Sequence, residues 1–363
     1  MQYFGKYVSN TLAASGNQFF FCNGDETEVF TGRLFYKVFE GGKYTYSFLF
    51  SNTLDSTYGD GSVSQKNLVC GKWKIVRSAV AVCNTSEPEM CDESSFSPLL
   101  FGGNTEKNVS PGEMFATDGI ELKADKGQYI CVEISFCGKM IPYHEETMIA
   151  TYLNINGQWV PDKKMPFPCM TGCDRPVKKR VAFFGDSITQ GIGVPFNEYS
   201  FWDAVTAEKI GSQFSFWNLG IGYGRADDAG SNGAWMYKAK QNDIVVVCFG
   251  VNDIMQGFSE EKIKTNLFKT VTELKKSGAK VLLQTVPPFC YENEKKIIWQ
   301  NVNRYILNEL SKYCDKVFDV VPFLGESTEN PQNPKYGGHP NKEGSDVWAN
   351  ALFPVLNTLC NEA

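Results

Sequence analysis

Three side chains, far apart in the sequence, are of the types that activate and stabilise an acyl transfer. They are a serine in Phe184-Gly185-Asp186-Ser187-Ile188-Thr189, an asparagine in Gly250-Val251-Asn252-Asp253 and a histidine in Gly337-Gly338-His339-Pro340-Asn341. A serine hydroxyl is a poor nucleophile until a neighbouring base takes its proton, and an imidazole suits that task near neutrality. The chain offers only His144 and His339. His339 sits in a Gly-rich, Pro-flanked loop where a ring can reach over a rim. His144 falls in a β-rich region beside Glu145 and Glu146, and reads as a core or substrate-contact residue. An Asn252 amide N–H aimed at a tetrahedral oxyanion would add a donor where charge develops, with Asp253 holding its turn. The backbone N–H of Ser187, near a helix start, would be another.

The elements that must position these groups follow from periodicity. Arg180 to Phe184 is a short, apolar, β-prone run, and Gly185 allows it to stop sharply. Further strand-like runs cover Phe214 to Trp217, Ile244 to Phe249, Lys280 to Thr285 and Lys316 to Val320. Helix-like stretches near Phe201 to Ile210, Ser259 to Lys276, Glu294 to Tyr313 and Lys342 to Leu359 alternate with them. In the second helix Ile263, Leu267, Val271 and Leu274 recur at spacings of three and four, and Ser259 precedes Glu260 and Glu261 as a cap. This alternation predicts a parallel sheet covered on both faces, with ligands at the carboxyl ends of its strands. Ser187 follows the first strand and Asn252 the third, while His339 lies between the last strand and the last helix, so all three converge on one rim.

Residues 1–155 read differently, as short β-runs such as Tyr44 to Phe50, Lys74 to Val76, Ala79 to Cys83 and Gln128 to Ile134. Strands at this spacing predict an all-β accessory domain, a β-sandwich or jelly roll. Pro161, Pro166, Pro168, Gly172 and Pro176 place a linker at 156–178, leaving 179–363 as the catalytic domain.

Composition excludes several function classes. The chain has 363 residues, 42% of them hydrophobic, and a formal net charge of −6. That balance excludes a nucleic-acid partner, and Lys178-Lys179-Arg180 reads as a solvated edge. No apolar stretch approaches about 18 residues, so no membrane span is expected. The first residues carry no basic segment followed by an apolar core, which predicts cytoplasmic residence. Twelve cysteines scattered through strands read as reduced buried thiols. Cys169-Met170-Thr171-Gly172-Cys173 has too few partners for a metal site, and none is expected there.

A further block, Asn218-Leu219-Gly220-Ile221-Gly222-Tyr223-Gly224-Arg225, follows the second strand. With it, the order and spacing resemble the SGNH, or GDSL-type, hydrolase superfamily over about half of the chain. The resemblance implies a three-layer αβα, flavodoxin-like domain and a serine esterase with no metal or organic cofactor. It makes Ser187 the nucleophile and one oxyanion donor, Asn252 the side-chain donor and His339 the general base. The glycine donor falls on Gly224 after a one-residue shift, with Gly222 as the alternative. The Gly224-Arg225 pair then resembles that of some polysaccharide acetylesterases in the family, and Arg225 and Trp235 become candidate substrate contacts. One departure stands out: Tyr336 occupies the position, three before the histidine, where the family commonly carries aspartate. That implies a Ser-His dyad, its ring held by a backbone carbonyl around Tyr336 or Gly337, with Asp346 and Glu343 as alternative partners.

The two-domain arrangement is similar to that of bacterial carbohydrate esterases, and Phe201, Trp202, Tyr223 and Trp235 are aromatics that could stack on sugar faces. The expected substrate is a small-molecule or oligosaccharide ester, deacetylated by an acyl-enzyme route. The same blocks also serve lysophospholipases and thioesterases. A carbohydrate-binding protein with a degenerate hydrolase domain is the non-enzymatic alternative.

Overall fold

A computed structural model describes residues 2–22, 25–57, 65–325 and 338–362. The chain divides into two compact units, Met1–Asp55 with Asn67–Pro176, and Ser56–Lys66 with Val177–Ala363.

The first unit is built almost wholly of antiparallel strands. In one sheet Gly42–Ser51 pairs with Met170–Cys173, Met114–Ala116 and Ile120–Ala124, and Val8–Ser9 extends it beyond Met170–Cys173. In the other, Tyr129–Gly138 lies between Phe30–Lys37 and Trp73–Cys83. Lys74 to Val76 and Ala79 to Cys83, expected as separate runs, form that single strand Trp73–Cys83. Leu34, Val80, Val132 and Ile134 are fully buried. The stretch 156–178 is not the irregular linker expected. It contributes the strands Gln158–Pro161 and Met170–Cys173, because Pro161 ends a strand and Pro166, Pro168 and Pro176 lie outside any, where a missing N–H costs no ladder bond.

The second unit carries a parallel sheet. Its strands are β1 (Arg180–Gly185), β2 (Ser215–Asn218), β3 (Ile244–Cys248), β4 (Lys280–Gln284) and β5 (Lys316–Phe318). They lie in the order β2-β1-β3-β4-β5, every pair parallel. This is the doubly wound order whose direction reverses between β1 and β3, where the loops leaving the strand ends diverge and leave a crevice. Val245, Val246 and Val247 have no exposed surface, as a strand covered on both faces requires. The helix Glu260–Lys276 buries Ile263, Leu267, Val271 and Leu274, and the Ser259 side chain accepts a hydrogen bond from Lys262 N at its start. Helix Trp202–Ile210 packs against Lys342–Asn361 through Trp202 and Trp348, whose rings stack with centroids 4.7 Å apart. Among the described residues no helix is long and apolar enough to cross a membrane.

Candidate active site

Ser187 leaves the carboxyl end of β1 as the first residue of the short helix Ser187–Gln190. A Cβ at Gly185 would stand 2.1 Å from Thr189 Oγ1 and 2.7 Å from Cys248 O. Glycine is therefore required there by close packing; its φ is not positive, so the conformational freedom expected from sequence is not what it supplies. Asp186 caps the helix by accepting a hydrogen bond from Ile188 N at 3.0 Å. As the first helical residue, Ser187 has an N–H with no intrahelical acceptor. Its Oγ lies 2.8 Å from His339 Nε2, the distance at which a hydroxyl passes its proton to an imidazole.

The His339 backbone is shaped by glycines on both sides of the contact. Gly338 adopts φ +118°, with Phe289 Cα 2.9 Å from where a Cβ would sit. Gly193, at φ +110°, leaves room for Pro340 O and His339 Cβ. The ring of Phe289 meets the imidazole edge-to-face, centroids 5.2 Å apart at 77°. Sequence reading missed Phe289. The available signal was its place in Val286-Pro287-Pro288-Phe289, beyond the carboxyl end of β4 and so beside the same rim. Tyr336 and Gly337, expected to supply the carbonyl behind the ring, lie outside the described residues. The side chains of Glu343 and Asp346 make no hydrogen bond or ion pair among the described residues.

Asn252 sits in the first turn of the helix Val251–Met255 that follows β3, entered through Gly250 at φ +126°. Its Nδ2 donates to Gly224 O at 3.0 Å, which fixes the amide plane and leaves its second N–H to point elsewhere. This revises the part expected of the glycines. Gly224 N donates to Ile221 O at 3.0 Å, closing a turn, and Gly222 N donates to Gln190 Oε1. Gly224 therefore serves the site through its carbonyl, as the acceptor that orients Asn252. It has no room for a side chain: a Cβ would meet the Trp235 ring at 2.7 Å.

Residues 183–347, which hold this serine, asparagine and histidine, match the model of the GDSL-like lipase/acylhydrolase family. The second unit carries a GDSL-like hydrolase domain. No curated protein matches the chain. Solved structures similar to it include three of known description. A lipolytic protein of the G-D-S-L family from Veillonella parvula is 22% identical, over 48% of this chain and 97% of its own, at TM-score 0.43. The psychrotrophic esterase EstA from Pseudoalteromonas sp. is 17% identical, over 50% and 99%, at 0.41. A carbohydrate esterase family 3 protein from Talaromyces cellulolyticus is 18% identical, over 51% and 99%, at 0.41.

Within the hydrolase domain, two expected substrate contacts are corrected. Arg225 is 1% exposed: its Nε and Nη2 donate to the Asp228 carboxylate at 2.7 and 3.1 Å, and Nη1 donates to Gln256 Oε1. Trp235 is also 1% exposed, donates to Leu219 O and packs edge-to-face on Phe184 and Phe249. Both hold the turn after β2 from within. Phe201 and Trp202 are buried as well, so of the four aromatics considered only Tyr223 is exposed, at 39%. Tyr223 adopts φ +62°, a left-handed conformation an aromatic residue rarely takes. Asp253 receives hydrogen bonds from Ala226 N and Asp227 N, tying the Asn252 turn to the Arg225 turn. His144, in the first unit, is fully buried with Nδ1 2.7 Å from Gly16 O.

Burial pushes the Asp186 carboxyl up to about 7, and its Oδ2 has no hydrogen-bond partner among the described residues. The folded chain then holds a proton that the unfolded chain releases near pH 4, so this group lowers stability as pH rises from about 4 to 7. Asp186→Asn keeps the acceptor for Ile188 N and removes the titration. Thermal unfolding at about pH 5 and pH 8 is expected to show a smaller loss across that interval in the variant, by a few kcal/mol at most. Identical pH profiles would refute the assignment.

Proposed function

We propose that the hydrolase domain is a serine esterase that removes short acyl groups, acetyl foremost, from carbohydrate, and that the first unit is a β-sandwich accessory of jelly-roll type. The observation carrying this reading is the 2.8 Å contact between Ser187 Oγ and His339 Nε2 at a helix start; the Asn252 amide, oriented by Gly224 O, follows the strand adjacent to the one that Ser187 leaves. Ser187 Oγ attacks the ester carbonyl while His339 Nε2 takes its proton. The oxyanion so formed is met by Ser187 N–H and the second Asn252 N–H. One such donor is worth about 3 to 4 kcal/mol in the transition state. Collapse of the tetrahedral intermediate expels the alcohol, which takes the proton from His339. Water then enters by the same route and releases the carboxylic acid.

The exposed Tyr223 ring supports a sugar as the alcohol. It projects from the turn that carries Gly224, and a flat aromatic face suits the apolar face of a pyranose. Nitrophenyl acetate is expected to turn over faster, by kcat/KM, than nitrophenyl octanoate, and the reverse preference would overturn the short-chain reading. A fluorophosphonate probe is expected to label Ser187, and failure to label would overturn the esterase reading itself.

A further inference from the structure

Three cysteines of the first unit, distant from one another in type of element, bring their sulfurs together. Cys131 lies in the central strand Tyr129–Gly138 and pairs in register with Ala81; Cys83 ends the adjacent strand Trp73–Cys83. Cys83 lies two positions beyond Ala81, so Cys83 and Cys131 are diagonal neighbours on one face of the sheet. Cys91 arrives from outside the sheet, just after the turn Pro88–Met90. Its Sγ is 2.9 Å from Cys83 Sγ, and all three sulfurs lie within 4.8 Å of one another.

The approach of Cys91 is enforced by a buried arginine. Arg33, 1% exposed, donates from Nη1 to Pro88 O at 2.9 Å, which pins the turn that delivers Cys91. Its other nitrogens donate to Glu133 and Glu93, and its guanidinium lies against the rings of Trp159 and Phe96. A disulfide would engage two of these sulfurs and leave the third redundant, whereas a metal ion engages all three. Phe35, Ala81 and Ala150 are the other buried residues of the cluster and offer no side-chain ligand, while Phe96, Tyr129 and Tyr152 pack against it from outside. Three sulfur ligands select soft ions and fall one short of the four-ligand sets of structural zinc.

We propose that Cys83, Cys91 and Cys131 form a three-sulfur site for one soft d10 metal ion in the first unit, separate in residues and chemistry from the esterase site. Binding forms three sulfur–metal bonds and releases thiol protons to solvent. The reduced, metal-stripped full chain is to be titrated with Cu(I), held by a weak competing ligand, and in a parallel arm with Cd(II). About one equivalent is expected per chain, with sulfur-to-metal charge-transfer absorption and proton release. On the wild-type chain, peptide mass spectrometry after alkylation is expected to show Cys83, Cys91 and Cys131 protected together by metal, while Cys290 stays reactive. Cys131→Ser and Cys91→Ser should each weaken binding by more than about tenfold, and Cys173→Ser should leave it unchanged. Preference for Cu(I) marks a low-coordinate site and preference for Cd(II) one completed by a further ligand; either supports the proposal. Absence of stoichiometric binding, or metal that leaves these three thiols as alkylatable as before, overturns it without recourse to any variant. So does a Cys83–Cys91 disulfide that forms in air and excludes metal.

Discussion

Ser187→Ala is expected to lower kcat/KM for an acetyl ester by about 10⁴-fold or more, and His339→Ala by a similar factor, while the double variant loses no more than the worse single. This non-additivity follows from the geometry. The two side chains share one proton across the 2.8 Å contact, so neither contributes once the other is gone. On the proposed mechanism what survives is the donor pair of Ser187 N–H and Asn252, which would act on the oxyanion whatever the nucleophile. Steady-state rates for the four forms, each with its unfolding temperature, check this. Losses that multiply across the double variant would mean the two residues act in separate steps. Asp346→Asn and Glu343→Gln serve as companions in the same assay. Neither carboxylate has a polar contact among the described residues, so both variants are expected to keep kcat near that of the wild type, and a collapse in either would make it the partner of the imidazole.

Arg225→Ala is expected to cost about 3 to 5 kcal/mol of stability, the range for breaking one side of a buried ion pair. Arg225 and Asp228 have side-chain exposures of 1% and 0%, and Asp228 receives two of the guanidinium's hydrogen bonds. Without the arginine side chain, the carboxylate keeps, among the described residues, only Ser56 Oγ and the backbone N–H of residue 225 as donors. Burial already pushes the Asp228 carboxyl up, so the lone charge is poorly tolerated. Thermal unfolding should fall by roughly 6 to 20 °C for a unit of this size, and Asp228→Asn added to the variant should restore part of it. Below the unfolding transition, KM for a carbohydrate ester should change little. An unchanged unfolding temperature with a raised KM would instead make Arg225 a substrate contact.

Much of the hydrolase domain was legible because its signals are local. The apolar run ending at Gly185, the three-and-four spacing of Ile263, Leu267, Val271 and Leu274, and the cap at Ser259 each act over a few residues, and the structure repeats them. Ser187, Asn252 and His339 were legible for a different reason: each follows a strand or enters a helix, and parallel strands must present their carboxyl ends on one rim. Arg225 and Trp235 were misread because charge and aromaticity suggest a surface role, while their burial depends on Asp228, Phe184 and Phe249, which the linear order does not place around them. The prolines of 156–178 misled in the same way, since the strands Gln158–Pro161 and Met170–Cys173 fit around them and are fixed by partner strands elsewhere in the chain.

The residue types and their order by themselves determined which side chains could do chemistry, a serine, a histidine and an asparagine, and the alternation of elements that carries them. Only the tertiary structure decided which groups are used and how. Gly224 turns its N–H to Ile221 and its carbonyl to Asn252, Phe289 comes to the edge of His339, and three cysteines from two strands and a turn meet around one point. These outcomes rest on long-range packing and on competition among hydrogen-bond acceptors, and such competition is resolved only when distant segments are brought into contact.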